Sequence, residues 1–457
     1  MSSRINQQAS LFKGRSGKYL SFENEFTHNK RNIKGSNQMK LRNGITLIPS
    51  SIKGPFASLG VFIKGGTRYE TQQTRGSSHI IDKISLKHTL LFEKDQLDLE
   101  IEKLGGVLQT TESKEYQLFS AAVPESKLGA CMKLFYSIVS GPKITPEDIK
   151  EVESITEFEY KDMVRNYLKS EDLMKQVVHE SAFGGCGMGY STRNLFATGV
   201  PSVNDVYSFW QQRLHPENIV IVGCGIKPEV LEDISQPFES IRSFPQSKVP
   251  CAYSGGQITI PIAEKEFAHA SIAFKSPPIS HPDYCVTQVL QYILGGGSAF
   301  SAGGPGKGMY SRLYTNLLNR YYWIESAMAT NLGYSSDSLF MLSGSCNAKH
   351  TKSLLEVLSD QLLNSSYKLN SDELQRAKSQ LKSALLMKNE SRFQQIETAA
   401  RDFVAGQNIV ELIDSVQQKD VERVVDEMVK SPLSLTTFGQ VEHATPKEHL
   451  QSTFGFK

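Results

Sequence analysis

Ala57-Ser58-Leu59-Gly60-Val61-Phe62 returns as Ala270-Ser271-Ile272-Ala273-Phe274, 213 positions further on, and this echo decides how the chain is read. Two more landmarks keep nearly the same spacing. Asp205-Val206 is echoed by Asp420-Val421 at an offset of 215, and His215-Pro216-Glu217-Asn218-Ile219-Val220-Ile221-Val222-Gly223 by Ser431-Pro432-Leu433-Ser434-Leu435-Thr436-Thr437-Phe438-Gly439 at 216. A steady offset over strand-like and helix-like segments in the same order marks a duplication. Each half opens on β-type runs, passes through long amphipathic stretches and closes on a helix and a strand. Strands therefore gather at the ends of each half, which predicts an α+β fold of two similar halves, each a mostly antiparallel sheet packed with helices, joined by a linker.

Outward from the echo, the ordered chain is expected to begin at residue 38. MKLRNGITLIPS (39–50) shows two short β runs about an Asn43-Gly44 hairpin signal. The first half is then 38–225 and the second 258–457, with the Pro, Ser and Gly-rich stretch 226–257 as an exposed linker. Thr145-Pro146-Glu147-Asp148 launches a long helix, with Thr as N-cap, Pro in the first turn and acids following. Ser371-Asp372-Glu373 does the same in the second half.

Composition is that of a globular protein: 457 residues, 39% hydrophobic, 21% charged. A net charge of +2 points to no partner, and nothing suggests nucleic acid. Six dispersed cysteines without a CxxC pair argue against a disulfide scaffold and a zinc knuckle, so reduced thiols are expected. No window approaches 18 uninterrupted apolar residues, the length a membrane-spanning helix needs. Residues 1–37 form a basic N-terminal segment: Arg4, Lys13, Arg15 and Lys18 precede the first acid, Glu23. That is the composition of a mitochondrial transit peptide, and equally of a disordered basic terminus.

Seven of the fourteen residues from Gly295 to Gly308 are glycine, in LGGGSAFSAGGPGKGMYSR (294–312). Such a stretch is a loop chosen for backbone freedom. A phosphate cradle fails on spacing: Gly308 follows Lys307 where a magnesium-binding Ser or Thr is required, and Ser301 stands where the motif needs glycine. In the first half, His79-Ile80-Ile81-Asp82-Lys83 approximates the inverted zinc motif H-x-x-E-H, with the second histidine replaced by lysine and the glutamate shortened to aspartate. Lysine, with a usual pKa of about 10.4, has no lone pair to give near neutrality. At 4 Å and an effective dielectric of about 20, its charge repels a divalent ion by roughly 8 kcal/mol. Zinc is not expected there, and His88 lies off the helix face.

The two-half plan, His79-x-x-Asp82-Lys83, Glu159 downstream and GGGSAFSAGGPGKGMYSRLY (295–314) together resemble the pitrilysin-type, inverted-zinc peptidase family, and within it the non-catalytic alpha-type subunits. The resemblance runs from about Gln38 to the C-terminus, and its specific part is the glycine-rich loop. His179-Glu180-Ser181-Ala182-Phe183 and Asn389-Glu390-Ser391-Arg392 look like further landmarks. The resemblance implies a pitrilysin-type peptidase fold and places Glu159 at the family's distal ligand position, so that His79, Asp82, Lys83 and Glu159 form a degenerate zinc site with no catalytic residue and no metal or other cofactor in this chain. Asp82 departs from the Glu that many alpha subunits keep. The Lys83 ammonium is expected to stand in for the missing zinc and pair with Glu159 or Asp82.

By the same resemblance, zinc resides in a mitochondrial-processing peptidase beta subunit, the substrates are basic amphipathic presequences of imported precursors, and the compartment is the mitochondrial matrix or the inner membrane's matrix face. Substrate contacts are expected from the loop residues Gly295, Gly296, Gly297, Phe300, Gly303, Gly304, Gly306, Lys307, Gly308 and Met309, and from Glu390 and Glu397 on the helix after Lys382–Lys388. The alternatives are a structural core subunit of ubiquinol-cytochrome c reductase, which would tie the chain to the respiratory chain, and a self-sufficient zinc peptidase, which Lys83 opposes.

Overall fold

The computed structural model describes residues 38–50, 56–166, 169–195, 199–244, 250–263, 265–298, 309–441 and 447–454. The basic N-terminal segment and loop residues Phe300, Gly303, Gly304, Gly306, Lys307 and Gly308 lie outside the described residues.

The first sheet comprises β1 (Met39–Lys40), β2 (Thr46–Ser50), β3 (Phe56–Ile63), β4 (Val107–Glu112), β5 (Gln117–Pro124) and β6 (Ile219–Cys224), in the order β1-β2-β6-β3-β5-β4. The second comprises β7 (Gly256–Pro261), β8 (Ala268–Ser276), β9 (Gly296–Ser298), β10 (Ile324–Leu332), β11 (Ser338–Cys346) and β12 (Ser434–Gly439), in the order β7-β12-β8-β11-β10-β9. Shared core orders correspond strand for strand: β2-β6-β3-β5-β4 with β7-β12-β8-β11-β10. Each sheet is antiparallel except for one parallel pair, β2 with β6 and β7 with β12. Thus the duplicated α+β plan holds. The Asn43-Gly44 turn forms as expected, with Gly44 at φ 102°, and pairs Met39 with Leu47.

In the first half the helices are α1 (Ser77–Ile84), α2 (Lys94–Lys103), α3 (Leu128–Ser140), α4 (Pro146–Arg165), α5 (Ser170–Phe183), α6 (Val203–Arg213) and α7 (Pro228–Ser235). The second half carries α8 (Tyr284–Leu294), α9 (Thr351–Tyr367), α10 (Ser371–Lys388), α11 (Arg392–Ala405), α12 (Ile409–Leu412), α13 (Gln418–Met428) and α14 (Lys447–Thr453). The Asp205 and Asp420 landmarks do the same job: each is the third helical residue of a capping box, with Ser202 on α6 and Gln417 on α13. Thr145 and Asp148 form the box that opens α4. At α10 the cap is Asn370, one residue ahead of the expected Ser371, with Glu373 completing the box.

The central strands of each sheet are buried on both faces, which is why strands such as FASLGVFI read as near-continuous apolar runs. Side chains alternate between faces. Leu59, Val61, Phe119 and Ile221 join the core under the first half's own helices, whereas Phe62, Leu118, Val220 and Val222 face Ile396 and Ala400 of α11, a second-half helix. The exchange is mutual. Helix α5 of the first half lays Leu173, Val177, Val178 and Ala182 on the back of the second sheet, against Ala273, Leu339, Met341 and Phe438. The small residues of the echo mark these contacts: a Cβ on Gly60 would come within 2.2 Å of the Ile396 side chain, and Ala273 lies at the matching position under α5.

Two expectations change. The stretch 226–257, read as an exposed linker, contains α7, and Ile226, Leu231, Phe238 and Ile241 are buried in the first-half core because the sheet edge near β2 needs covering. Cys186, just past α5, and Cys251, just before β7, are paired as a disulfide with Cα atoms 5.5 Å apart, while Cys131, Cys224, Cys285 and Cys346 are buried thiols. Spacing of 65 residues hid this pair, because only the seating of α5 on the second sheet brings the two together.

Candidate functional site

Helix α1 starts after Gly76, whose φ of 91° turns the chain into it. The buried Glu70 carboxylate caps that start, accepting from Gly76 N at 2.9 Å, Ser78 N at 2.8 Å and Ser78 Oγ at 2.8 Å. A carboxylate at a helix N-terminus is favoured by the helix dipole. Burial nevertheless pushes the Glu70 carboxyl up to about 7. Burial likewise raises Glu112, on β4, and Asp82 above the usual carboxyl range.

One turn of α1 brings His79 and Lys83 to the same face, toward α4. The Lys83 ammonium lies 2.5 Å from Glu159 Oε1. The His79 ring bonds through Nδ1 to Glu112 Oε2 at 3.4 Å, and its Nε2 lies 3.9 Å from Glu159 Oε2. His79, Lys83 and Glu159 are thus brought together. Asp82 instead reaches Thr110 on β4. His88 is elsewhere, at 2.9 Å from Asp148 Oδ2 near the start of α4.

The donor set does not fit a divalent metal. The position one turn beyond His79 presents an ammonium, and that ammonium already engages the Glu159 oxygen a metal would need.

Glu70, Glu112 and Lys114 belong to this polar centre and were missed from sequence. The buried Lys114 donates to the Tyr190 carbonyl at 2.6 Å, and burial lowers its pKa to about 7. No local pattern distinguishes these residues from surface charges. A cleft of about 360 Å³ opens beside α1, walled by Ile80, Val152, Thr156 and Tyr160 and by Asn194, Leu195 and Val200, with Glu153 and Glu157 on the rim.

Of the expected loop contacts, Gly295, Gly296, Gly297 and Met309 are described. Gly296–Ser298 is not free loop but β9, an edge strand paired with Ser326–Met328 of β10. Only glycine fits at Gly296, where φ is 107° and a Cβ would lie 2.0 Å from the Ala327 carbonyl oxygen. Where the chain re-enters the described residues, the buried Arg312 clamps it: two bonds to Glu373, at 3.1 and 2.8 Å, and two to the carbonyls of Asn364 and Lys368, at 2.7 and 2.6 Å. Both ends of the glycine-rich stretch are therefore anchored, one to a sheet edge and one between α9 and α10.

Glu390 sits in the corner between α10 and α11, beside the exposed Met387. Glu397, on α11, accepts from the Tyr116 hydroxyl at 3.1 Å, so the structure gives its carboxylate an inter-half contact and separates it from Glu390.

Comparison with known proteins follows the two halves. Residues 46–194 match the model described as Insulinase (Peptidase family M16), and residues 202–381 the model described as Peptidase M16 inactive domain. The chain is 32% identical to a probable mitochondrial-processing peptidase subunit alpha of Schizosaccharomyces pombe, over 86% of this chain and 82% of that one. The chain belongs to peptidase family M16. Mitochondrial-processing peptidase alpha subunits from Homo sapiens, at 26% identity over 91% of this chain and 84% of theirs, and from Neurospora crassa, at 28% over 85% and 82%, are similar as well. The alpha-type resemblance expected from the motifs thus extends over most of the chain. Among solved structures, a Helicobacter pylori protease (15% identity, TM-score 0.76, 88% of this chain and 98% of that one) and a chain of Complex III2 from Candida albicans (18%, TM-score 0.76, 92% and 100%) share this M16 fold.

Proposed function

We propose that this chain is the non-catalytic, substrate-recognising alpha subunit of a mitochondrial processing peptidase in the matrix, acting with a zinc-bearing beta subunit that removes presequences from imported precursors. The observation that carries this reading is the Lys83–Glu159 ion pair at 2.5 Å, which sets an ammonium where the H-x-x-E-H pattern would have its second histidine. Similarity to named alpha subunits over about nine-tenths of the chain supports it. Hydrolysis belongs to the partner, where zinc would activate the attacking water. This chain offers the opposite wall. An anchored glycine-rich strip, carrying residues such as Phe300 and Lys307 beyond β9, suits a peptide that varies in sequence, because backbone groups contact it without reading its side chains.

Copurification of the tagged full chain tests the reading. A beta-type M16 subunit is expected to come with it, the pair binding one zinc and cleaving a precursor, while the chain alone holds none and cleaves nothing. Replacing residues 299–308 by a short Gly-Ser link is expected to abolish cleavage and to preserve the pair. Stoichiometric zinc and cleavage by the chain alone would overturn the proposal, and copurification with cytochromes in place of a beta subunit would move the chain to a respiratory-complex scaffold.

A further inference from the structure

Two residues that line the cleft beside α1, His79 and Asn194, hold buried acceptors short of hydrogen-bond donors, and Glu159 lies next to the first of them. His79 is 2% exposed. A proton on Nδ1 serves the bond to Glu112, which leaves Nε2 a lone pair, and no hydrogen-bond donor reaches it among the described residues. Glu159 uses Oε1 on Lys83, while its buried Oε2, beside His79 Nε2, has no hydrogen-bond partner. Asn194, the one described non-glycine residue at positive φ (52°), lines the same cleft with a buried Oδ1 that lacks a partner too. On the rim, Glu153 is exposed and carries no ion pair among the described residues, whereas Glu157 is engaged by Lys161 at 2.6 Å. Each buried acceptor left without a donor costs about 1–3 kcal/mol.

We propose that this cleft binds an arginine side chain of a basic amphipathic peptide, as a recognition subsite belonging to this chain and distinct from the glycine-rich loop. The proposal rests on the presequence-binding reading above and adds where, and by which side chain, this chain reads its substrate. A guanidinium carries five donors and no acceptor in a planar fork, so it suits a cleft whose walls hold His79 and Asn194 with donor-poor acceptors and whose rim holds carboxylates. Its face can rest on the Tyr160 ring, and Glu153 supplies net charge at the entrance. An anion would meet the Glu153 and Glu157 carboxylates at the rim, and a divalent metal beside His79 would meet the Lys83 ammonium. A lysine of the peptide, as a point charge with three donors, would satisfy fewer of these acceptors.

The test measures binding of a fluorescein-labelled, arginine-containing amphipathic peptide to the full chain, together with whatever partner copurifies, by anisotropy. The variant Glu153→Gln/Asn194→Gly removes one charge and one acceptor, and glycine suits the positive φ. Its Kd for the arginine peptide is expected to rise about tenfold, while a citrulline version of the peptide binds variant and unmodified protein alike. Glu153→Gln alone, on an exposed side chain that cannot disturb folding, is expected to raise Kd about threefold. An unchanged Kd in these variants overturns the subsite and leaves the presequence reading standing. Failure of the unmodified protein to bind the arginine peptide overturns both.

Discussion

At the residue scale, two buried or half-buried nitrogen groups carry opposite lessons. Lys83, one helical turn beyond His79, is held by its contact with Glu159; with side chains 28% and 21% exposed, that pair is worth about 1 kcal/mol or less and preserves the helix contact without driving the fold. His269, on β8, stacks on Phe438 with ring centroids 4.7 Å apart, and burial, with Lys265 adding to it, lowers its pKa to about 3. Here the folded pKa of a base is depressed. Between about 3 and 6.5 the unfolded chain binds the proton and the folded chain does not, so this stability is complete above 6.5 and is lost as pH falls toward 3. His179, buried on α5 and also depressed by burial, has the same sign. In urea unfolding, the unmodified chain is expected to lose about 2 kcal/mol more than His269→Phe between pH 6.5 and pH 5. Parallel pH profiles would show that His269 accepts a proton in the folded state.

At the element scale, the exchanged helices α5 and α11 do most to join the halves. Ile396 on α11 is fully buried against Phe62, Leu118 and Val220 and touches the space that Gly60 leaves open. Ile396→Ala is expected to cost about 2–4 kcal/mol, read as a lower urea midpoint in one undivided transition. A separate early transition of the second half alone would mean that α11 does not couple the two sheets. Polar contacts reinforce the exchange: buried Lys265 of the second half donates to the Met163 and Asn166 carbonyls at the end of α4, at 3.3 and 3.4 Å, where a helix C-terminus favours a cation. His179 meets the Tyr334 hydroxyl at 2.6 Å. The landmarks HESAF and NESR, striking in the sequence only as isolated motifs, fall at the end of α5 and the start of α11, the two helices that cross over.

At the scale of the whole molecule, each half covers one face of its own sheet and leaves the other to a helix of the opposite half. Residues 38–244, which keep α7, expressed alone would expose Phe62, Leu118, Val220 and Val222 on one sheet face. That fragment and residues 250–457 are expected to aggregate separately and to copurify as a soluble pair when coexpressed, as size-exclusion chromatography would report; a soluble, monomeric, cooperatively unfolding single fragment would contradict this dependence. The duplication, the strands that open and close the halves and the cap of α4 were legible because each is carried by neighbours in sequence or by a repeated pattern. Which helix covers which sheet was not legible, since both halves present equivalent apolar faces and periodicity does not name the partner. Nor was the contact of His79 with Glu112, or the pairing of Cys186 with Cys251. Each joins residues dozens of positions apart: α1 meets β4 within the folded first half, and Cys186 reaches Cys251 when α5 seats on the second sheet.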